Sequence, residues 1–199
     1  MDTTDFTVLA MTCAPAVHVS TAHALVAVES NFNPHAIGVV GGELERQPRN
    51  RAEALATAVA LQTKGWNYSV GLAQINVRNF ERLGLTADTA FNPCVNLRAM
   101  QAVLTECFER SSAKSVRAVN ATSDSPQASL RQALSCYYSG NFVTGFRHGY
   151  VQRVVSVAKA NTELPTTPRM QLTSGVPPCT GSTALQPPIS KQQAQPFNF

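Results

Sequence analysis

Ala22, Leu25, Val26 and Glu29 fall at i, i+3, i+4 and i+7 between Ser20 and Pro34, the spacing of one apolar face on a helix. Ser20 is placed to cap that helix, and Asn33-Pro34 to stop it. Asn50, with Glu53 three residues on, predicts a capping box for a helix reaching about Lys64 and closed by Gly65. Pro93 opens a long helix through about Arg110. Ser125-Pro126 opens another that carries Ala133 to Tyr138 and ends at Ser139-Gly140. A last helix, from about His148 to Ala160, buries Val151, Val154, Val155 and Ala158. Strand signals are rarer. Ile37 to Arg46 reads as a short hairpin turning at Gly41-Gly42, the only convincing one in the chain. Trp66 to Asn76 reads as a compact loop ahead of a short helix from about Val77 to Leu83. The pattern predicts a mainly α fold, a small helical domain with one short β-hairpin.

Composition adds a boundary. Residues 162–199 hold seven of the twelve prolines, are rich in Gln, Ser and Thr, and carry only Glu163, Arg169 and Lys191 as charges. They read as a disordered tail behind a folded domain of residues 1–161. The net charge of +4 is modest and scattered. It argues against a nucleic-acid groove but suits association with an acidic polymer such as the cell wall. No run is long and apolar enough to span a bilayer. The first twelve residues contain two Asp and no Lys or Arg, which is not a recognisable signal peptide.

Cys13, Cys94, Cys107, Cys136 and Cys179 are too widely spaced for a zinc site or a redox Cys-x-x-Cys. They read either as disulfides formed in an oxidising compartment or as buried free thiols. If four pair, Cys94 and Cys107 are not partners should both lie on one helix, because thirteen residues rise about 20 Å. Cys179 is then the odd one. His18, His23, His35 and His148 lack metal-ligand spacing and read as helix surface or core.

The most informative chemical feature is Glu29. Its place on the apolar stripe, close to a helix C-terminus, sets burial and the negative end of the helix dipole against the charged form, so its pKa should rise. Such a carboxyl is suited to general acid catalysis. A half-exposed Glu, or one in a structural ion pair with a nearby Arg, is the plainer alternative. The stretch from Trp66 to Asn76 combines residue types that line sugar-binding clefts: aromatic faces for pyranose rings, amides for hydroxyl and acetamido groups. Equally, Trp66, Leu72 and Ile75 read as core, with Gly71 relieving a tight turn.

Four segments in fixed order sharpen the choice: Glu29-Ser30, Gly71-Leu72-Ala73-Gln74-Ile75-Asn76, Asn92-Pro93-x-x-Asn96-Leu97, and Ala133 through Gly140. Together, over about residues 12 to 160, they resemble the catalytic domain of the lytic transglycosylases, the goose-lysozyme-like superfamily that cleaves peptidoglycan. Cys13-Ala14-Pro15, Gly38-Val39-Val40-Gly41-Gly42 and Cys136 to Phe142 look most like the small transglycosylases of type IV secretion and conjugation systems. The resemblance implies a lysozyme-like fold with Glu29 as the sole catalytic acid and base. It also implies a substrate-binding set of Ser30, Gly71, Leu72, Gln74, Asn76, Tyr137 and Tyr138. Within that set Gln74 would contact an N-acetyl group and Tyr137 would lie close to the carboxyl.

Two positions depart from the family, Ala73 where Met is common and Tyr138 where Asn is common. The implied substrate is the peptidoglycan glycan strand, cleaved between N-acetylmuramic acid and N-acetylglucosamine with a 1,6-anhydro product. The implied site is the periplasm, with secretion-system partners reached through the tail and no cofactor or metal. The rivals are a muramidase that admits water, with Glu43 or Glu45 as base, and a peptidoglycan-binding assembly factor with a vestigial Glu29. Glu43, Glu45 and Glu53 read more simply as solvated charges.

Overall fold

The computed structural model describes residues 3–117 and 125–162; the expected tail and Cys179 lie outside the described residues. The chain begins with α1 (Thr3–Cys13) and α2 (Val19–Ser30), followed by β1 (Ile37–Val39) and α3 (Arg51–Thr63). Next come β2 (Tyr68–Val70), β3 (Ile75–Asn76), two 3₁₀ turns at Val77–Asn79 and Glu81–Leu83, and the one-turn α4 (Ala87–Ala90). The long α5 (Pro93–Arg117), α6 (Pro126–Ser139), the short α7 (Thr144–Arg147) and α8 (Tyr150–Thr162) complete the domain. The fold is mainly α with a small antiparallel sheet ordered β1-β2-β3.

Local chemistry explains most of the helix boundaries. Asn50 Oδ1 accepts the Glu53 N–H, Ser125 Oγ accepts the Ala128 N–H ahead of Pro126, and Gly140 closes α6 in the left-handed conformation. The capping box at α3 is only half formed, because the Glu53 carboxylate accepts the Arg49 N–H rather than that of Asn50. At α2 the cap is His18, whose Nδ1 accepts the Ser20 N–H and exchanges a second hydrogen bond with Ser20 Oγ. Ser20 therefore lies inside the helix. The stop also comes early. Asn31 turns left-handed at φ 49°, and its N–H reaches Ala27 O, three residues ahead of Pro34.

The expected hairpin over residues 37–46 does not form. Gln47 takes the place of its second strand, its Oε1 accepting the Ile37 N–H at 2.8 Å and its Nε2 donating to Ile37 O at 2.9 Å. One side-chain amide thus satisfies an edge that would otherwise need a strand. The other edge of β1 pairs with β2, Ile37 opposite Val70 and Val39 opposite Tyr68. The hairpin of this fold is β2–β3, within the stretch expected to be loop. Gly71, at φ +79°, turns it.

The core gathers Phe6 of α1, Leu25 and Val26 of α2, Tyr68 and Val70 of β2, Leu97 and Met100 of α5, and Tyr150 of α8. Two disulfides cross-link it, with Cys13, Cys107 and Cys136 themselves buried in the core. Cys13–Cys94 ties the end of α1 to the start of α5, and Cys107–Cys136 ties α5 to α6. Each cross-link closes a long loop in the unfolded chain, 81 and 29 residues in sequence separation, and so restricts it most where the gain is largest. No helix among the described residues is long and apolar enough to cross a membrane.

Candidate active site

A cleft of about 600 Å³ runs between the ends of α2 and α6 on one side and the β2–β3 hairpin on the other. Glu29 is the penultimate residue of α2 and lines it. Its stripe companions Ala22, Leu25 and Val26 are fully buried, so the carboxyl is carried on a helix face seated in the core. Burial pushes the Glu29 pKa up to about 7, against the Tyr150 hydrogen bond and the nearby Arg153 charge, which both pull it down. A carboxyl poised there gives and takes a proton near neutrality.

Tyr150, at the start of α8, was not identified from sequence. Its hydroxyl donates to Glu29 Oε1 at 2.5 Å across 121 residues of chain. The ring is fully buried and stacks on Tyr138 with centroids 4.5 Å apart at 20°. Burial, and then the Glu29 charge, raise the Tyr150 phenol well above its usual value. It therefore acts as a hydrogen-bond donor to Glu29 throughout the pH range in which Glu29 titrates. Tyr138 Oη in turn lies 3.3 Å from His148 Nδ1, and both residues line the cleft. His148 is thus a cleft residue rather than helix surface or core.

Tyr137 also lines the cleft, and the Glu29 charge acts on its phenol; its hydroxyl, however, is donated to Ala73 O at 2.6 Å. This bond joins α6 to the Gly71–Gln74 turn. Ser30 does the same from α2, its Oγ donating to Leu72 O at 2.7 Å. From below, Asn96 of α5 completes the support. It is fully buried, donates Nδ2 to Val70 O and Ala90 O, and accepts the Ala73 N–H at 2.8 Å. Gly71 is obligatory here, since a Cβ would sit 2.4 Å from Asn96 Nδ2.

Gln74 is held at the cleft edge with a left-handed backbone, φ 49°. Its Nε2 donates to Ala36 O and Gly71 O, which leaves Oε1 as the free end of the amide. Oε1 comes so near β1 that a Cβ on Gly38 would stand 2.8 Å from it. Asn31, Phe32 and Gln74 are the non-glycine residues with positive φ among those described, and all flank the carboxyl end of α2 or the turn facing it. Strained backbone is thus gathered around Glu29, held there by packing and side-chain hydrogen bonds.

Of the residues expected to bind substrate, Gln74, Asn76, Tyr137 and Tyr138 line the cleft with Glu29. Ser30, Gly71 and Leu72 do not. They lie beneath the wall, where Leu72 is fully buried and the Ser30 hydroxyl is spent on the turn. Trp66 is not core either, being 45% exposed at the foot of β2. Glu43 and Glu45 are exposed and outside the cleft, and Glu53 is paired with Arg46 and held down to about 2 by that ion pair and the Arg49 N–H. Glu29 is the one carboxylate lining the cleft among the described residues. No group of three or more His, Cys, Asp or Glu among them could hold a metal ion.

The transglycosylase SLT domain family matches residues 6–150, a span that includes Glu29, Tyr137 and Tyr150. The type IV secretion system protein virB1 of Brucella suis biovar 1 is 42% identical over 194 residues, covering 94% of this chain and 76% of the relative. Protein virB1 of Rhizobium radiobacter is 38% identical over 164 residues, covering 80% of this chain and 63% of the relative. No solved structure gave a significant match. With the family spanning the cleft and both of its walls, the chain belongs to the transglycosylase SLT domain family.

Proposed function

We propose that this protein is a lytic transglycosylase that cleaves peptidoglycan between N-acetylmuramic acid and N-acetylglucosamine, with Glu29 as both acid and base. The observation that carries the reading is a single carboxylate on the cleft among the described residues, half-buried at a helix end and raised to about 7. A glycosidase that uses water commonly needs two carboxylates about 5–10 Å apart. With one, the route that balances is intramolecular. Protonated Glu29 gives its proton to the glycosidic oxygen as the bond to C1 breaks. The resulting carboxylate takes the proton of the muramyl C6 hydroxyl, whose oxygen closes on C1. The products are a shortened strand and a 1,6-anhydro end, and Glu29 is protonated again.

In this reading Tyr150 orients the carboxyl and steadies its charged form between the two proton transfers. Gln74 Oε1 accepts the acetamido N–H, its own N–H groups being committed to the backbone. Tyr137 and Ser30 hold the turn that presents Gln74 and act as positioning residues. Residues 1–161 form the catalytic unit and 162–199 a tail that reaches partners. The activity would lie in the periplasm and open the wall for a type IV secretion or conjugation apparatus, a reading supported by the type IV secretion name of the Brucella relative.

Mass spectrometry of fragments released from purified peptidoglycan by the wild type and by Glu29→Gln tests the reading. Anhydro-muropeptides from the wild type alone are expected. Reducing-end products would show hydrolysis, and intact binding with no release from either protein would show a binding factor.

A further inference from the structure

Away from the cleft, α6 and α8 form the banks of a second groove. The two helices meet where Tyr138, near the end of α6, stacks on Tyr150 at the start of α8. Back along α6 and onward along α8 they border a space of about 460 Å³, with His18, Ser20 and Thr21 at the start of α2 completing the lining. No lining residue is shared with the cleft, so both can be filled at once.

The groove combines an apolar floor with cationic edges. On α6, Gln127, Leu130, Arg131 and Leu134 fall at i, i+3, i+4 and i+7, one face of the helix, and Val154, Val155, Ala158 and Lys159 of α8 form the other bank. Leu134 and Val154 are buried, and Leu130, Val155 and Ala158 half-buried. Arg131 and Lys159 are exposed, one on each bank. No acidic residue among those described lines the groove or forms an ion pair with either cation. The first turn of α2 adds the positive end of its dipole.

Apolar side chains between two cations match a partner with the complementary pattern, apolar side chains flanked by carboxylates. A free anion or a neutral sugar would leave the apolar floor uncovered, and a wholly apolar segment would leave both cations unanswered. The chain's own residues 163–199 carry a single acidic side chain, Glu163, and so do not supply a second carboxylate. From Gln127 to Leu134 the α6 bank is about 10 Å long, two helical turns. That length takes two apolar side chains spaced i, i+3 or i, i+4 on an incoming helix.

We propose that the α6–α8 groove docks an acidic amphipathic helix of a partner protein, its apolar side chains on Leu130, Leu134, Val154 and Val155 and its carboxylates on Arg131 and Lys159. The surface belongs to the folded helices rather than to the residues that follow them. It stands whether or not Glu29 cleaves peptidoglycan, and a partner seated there leaves the cleft open.

Nuclear magnetic resonance of the full chain, titrated with capped helical peptides of about 14 residues, tests it. One peptide carries leucines at i and i+4 flanked by glutamates, a second has lysines in place of the glutamates, and a third has serines in place of the leucines. Shifts at Leu130, Val155 and Ala158 are expected with the first peptide alone. R131E/K159E should weaken its binding by about tenfold or more and strengthen that of the lysine peptide, and the milder R131Q/K159Q should weaken the first without helping the second. No shift at these residues, equal shifts with the serine or lysine peptide, or binding unchanged in both variants would overturn the proposal. Groove signals that move on dilution of the protein alone would assign the groove to a second copy, and cross-relaxation to residues 163–199 in the free protein would assign it to the chain itself; either result also overturns it.

Discussion

The two walls of the cleft are built from different materials. The helical wall is aromatic and largely closed to water: Glu29 sits on a core-facing stripe, Tyr150 bonds it, Tyr138 stacks on Tyr150, and Tyr137 reaches across to the turn. The sheet wall is a short hairpin of amides and hydroxyls, with Asn67, Gln74, Asn76 and Arg78 half-buried or exposed and Ser69 buried. The first shifts a proton affinity through burial. The second offers directed donors and acceptors. In the proposed reaction one rigid helix end would suffice for proton chemistry, while recognition would fall to a hairpin held in place by bonds from three helices, through Ser30, Asn96 and Tyr137.

The sharpest way to break this division is to remove the proton. Glu29→Gln should lower fragment release by about 10³-fold or more, measured on purified peptidoglycan, because the one acid is lost and no second carboxylate among the described residues lines the cleft. Next in size is the link between the walls. Gly71→Ala forces a Cβ onto Asn96 at a left-handed position, and should cost about 3 kcal/mol or more in a urea titration, with activity falling alongside.

The proton affinity itself makes two further predictions. In the folded protein Glu29 titrates at about 7, above the usual 4.5. Below 4.5 it is protonated in both states and costs nothing. Between 4.5 and 7 the folded state binds more protons, so its stability falls as pH rises, reaching a penalty of about 3 kcal/mol above 7. Glu29→Gln should therefore be more stable than the wild type at pH 8 by up to about 3 kcal/mol, with the difference gone at pH 4. Thermal unfolding at the two pH values checks it.

The smallest effect expected is that of Tyr150→Phe. Losing the hydroxyl removes a bond that favours the charged carboxylate, so the alkaline limb of kcat/KM, near 7 in the wild type, should move up by about one pH unit while kcat falls. A limb that stays in place would mean that the helical wall tunes Glu29 by burial alone.

Much of the helical wall was legible in the chain. The apolar stripe of α2 gave Glu29 its place and the direction of its pKa, and the caps at Asn50, Ser125 and Gly140 bounded α3 and α6. Tyr150 was not, because a hydrogen bond spanning 121 residues leaves no periodic trace. The sheet wall was nearly opaque. Its strands are two or three residues long, too short for alternation to show, and the edge that Ile37 to Arg46 seemed to pair with itself is satisfied by the Gln47 amide. Ser30, Gly71 and Leu72 belong to the same motifs as the cleft residues, yet serve as their foundations. Neighbourhood in sequence does not distinguish a residue that faces the cleft from one that props it up.

Digestion of peptidoglycan in water enriched in ¹⁸O, followed by mass spectrometry of the new muramyl ends, is the most direct test that one carboxyl serves as both acid and base. Anhydro ends free of ¹⁸O are expected, since the C6 oxygen closes on C1 and no water enters. Reducing ends carrying one ¹⁸O would contradict it and would require a second group to activate water.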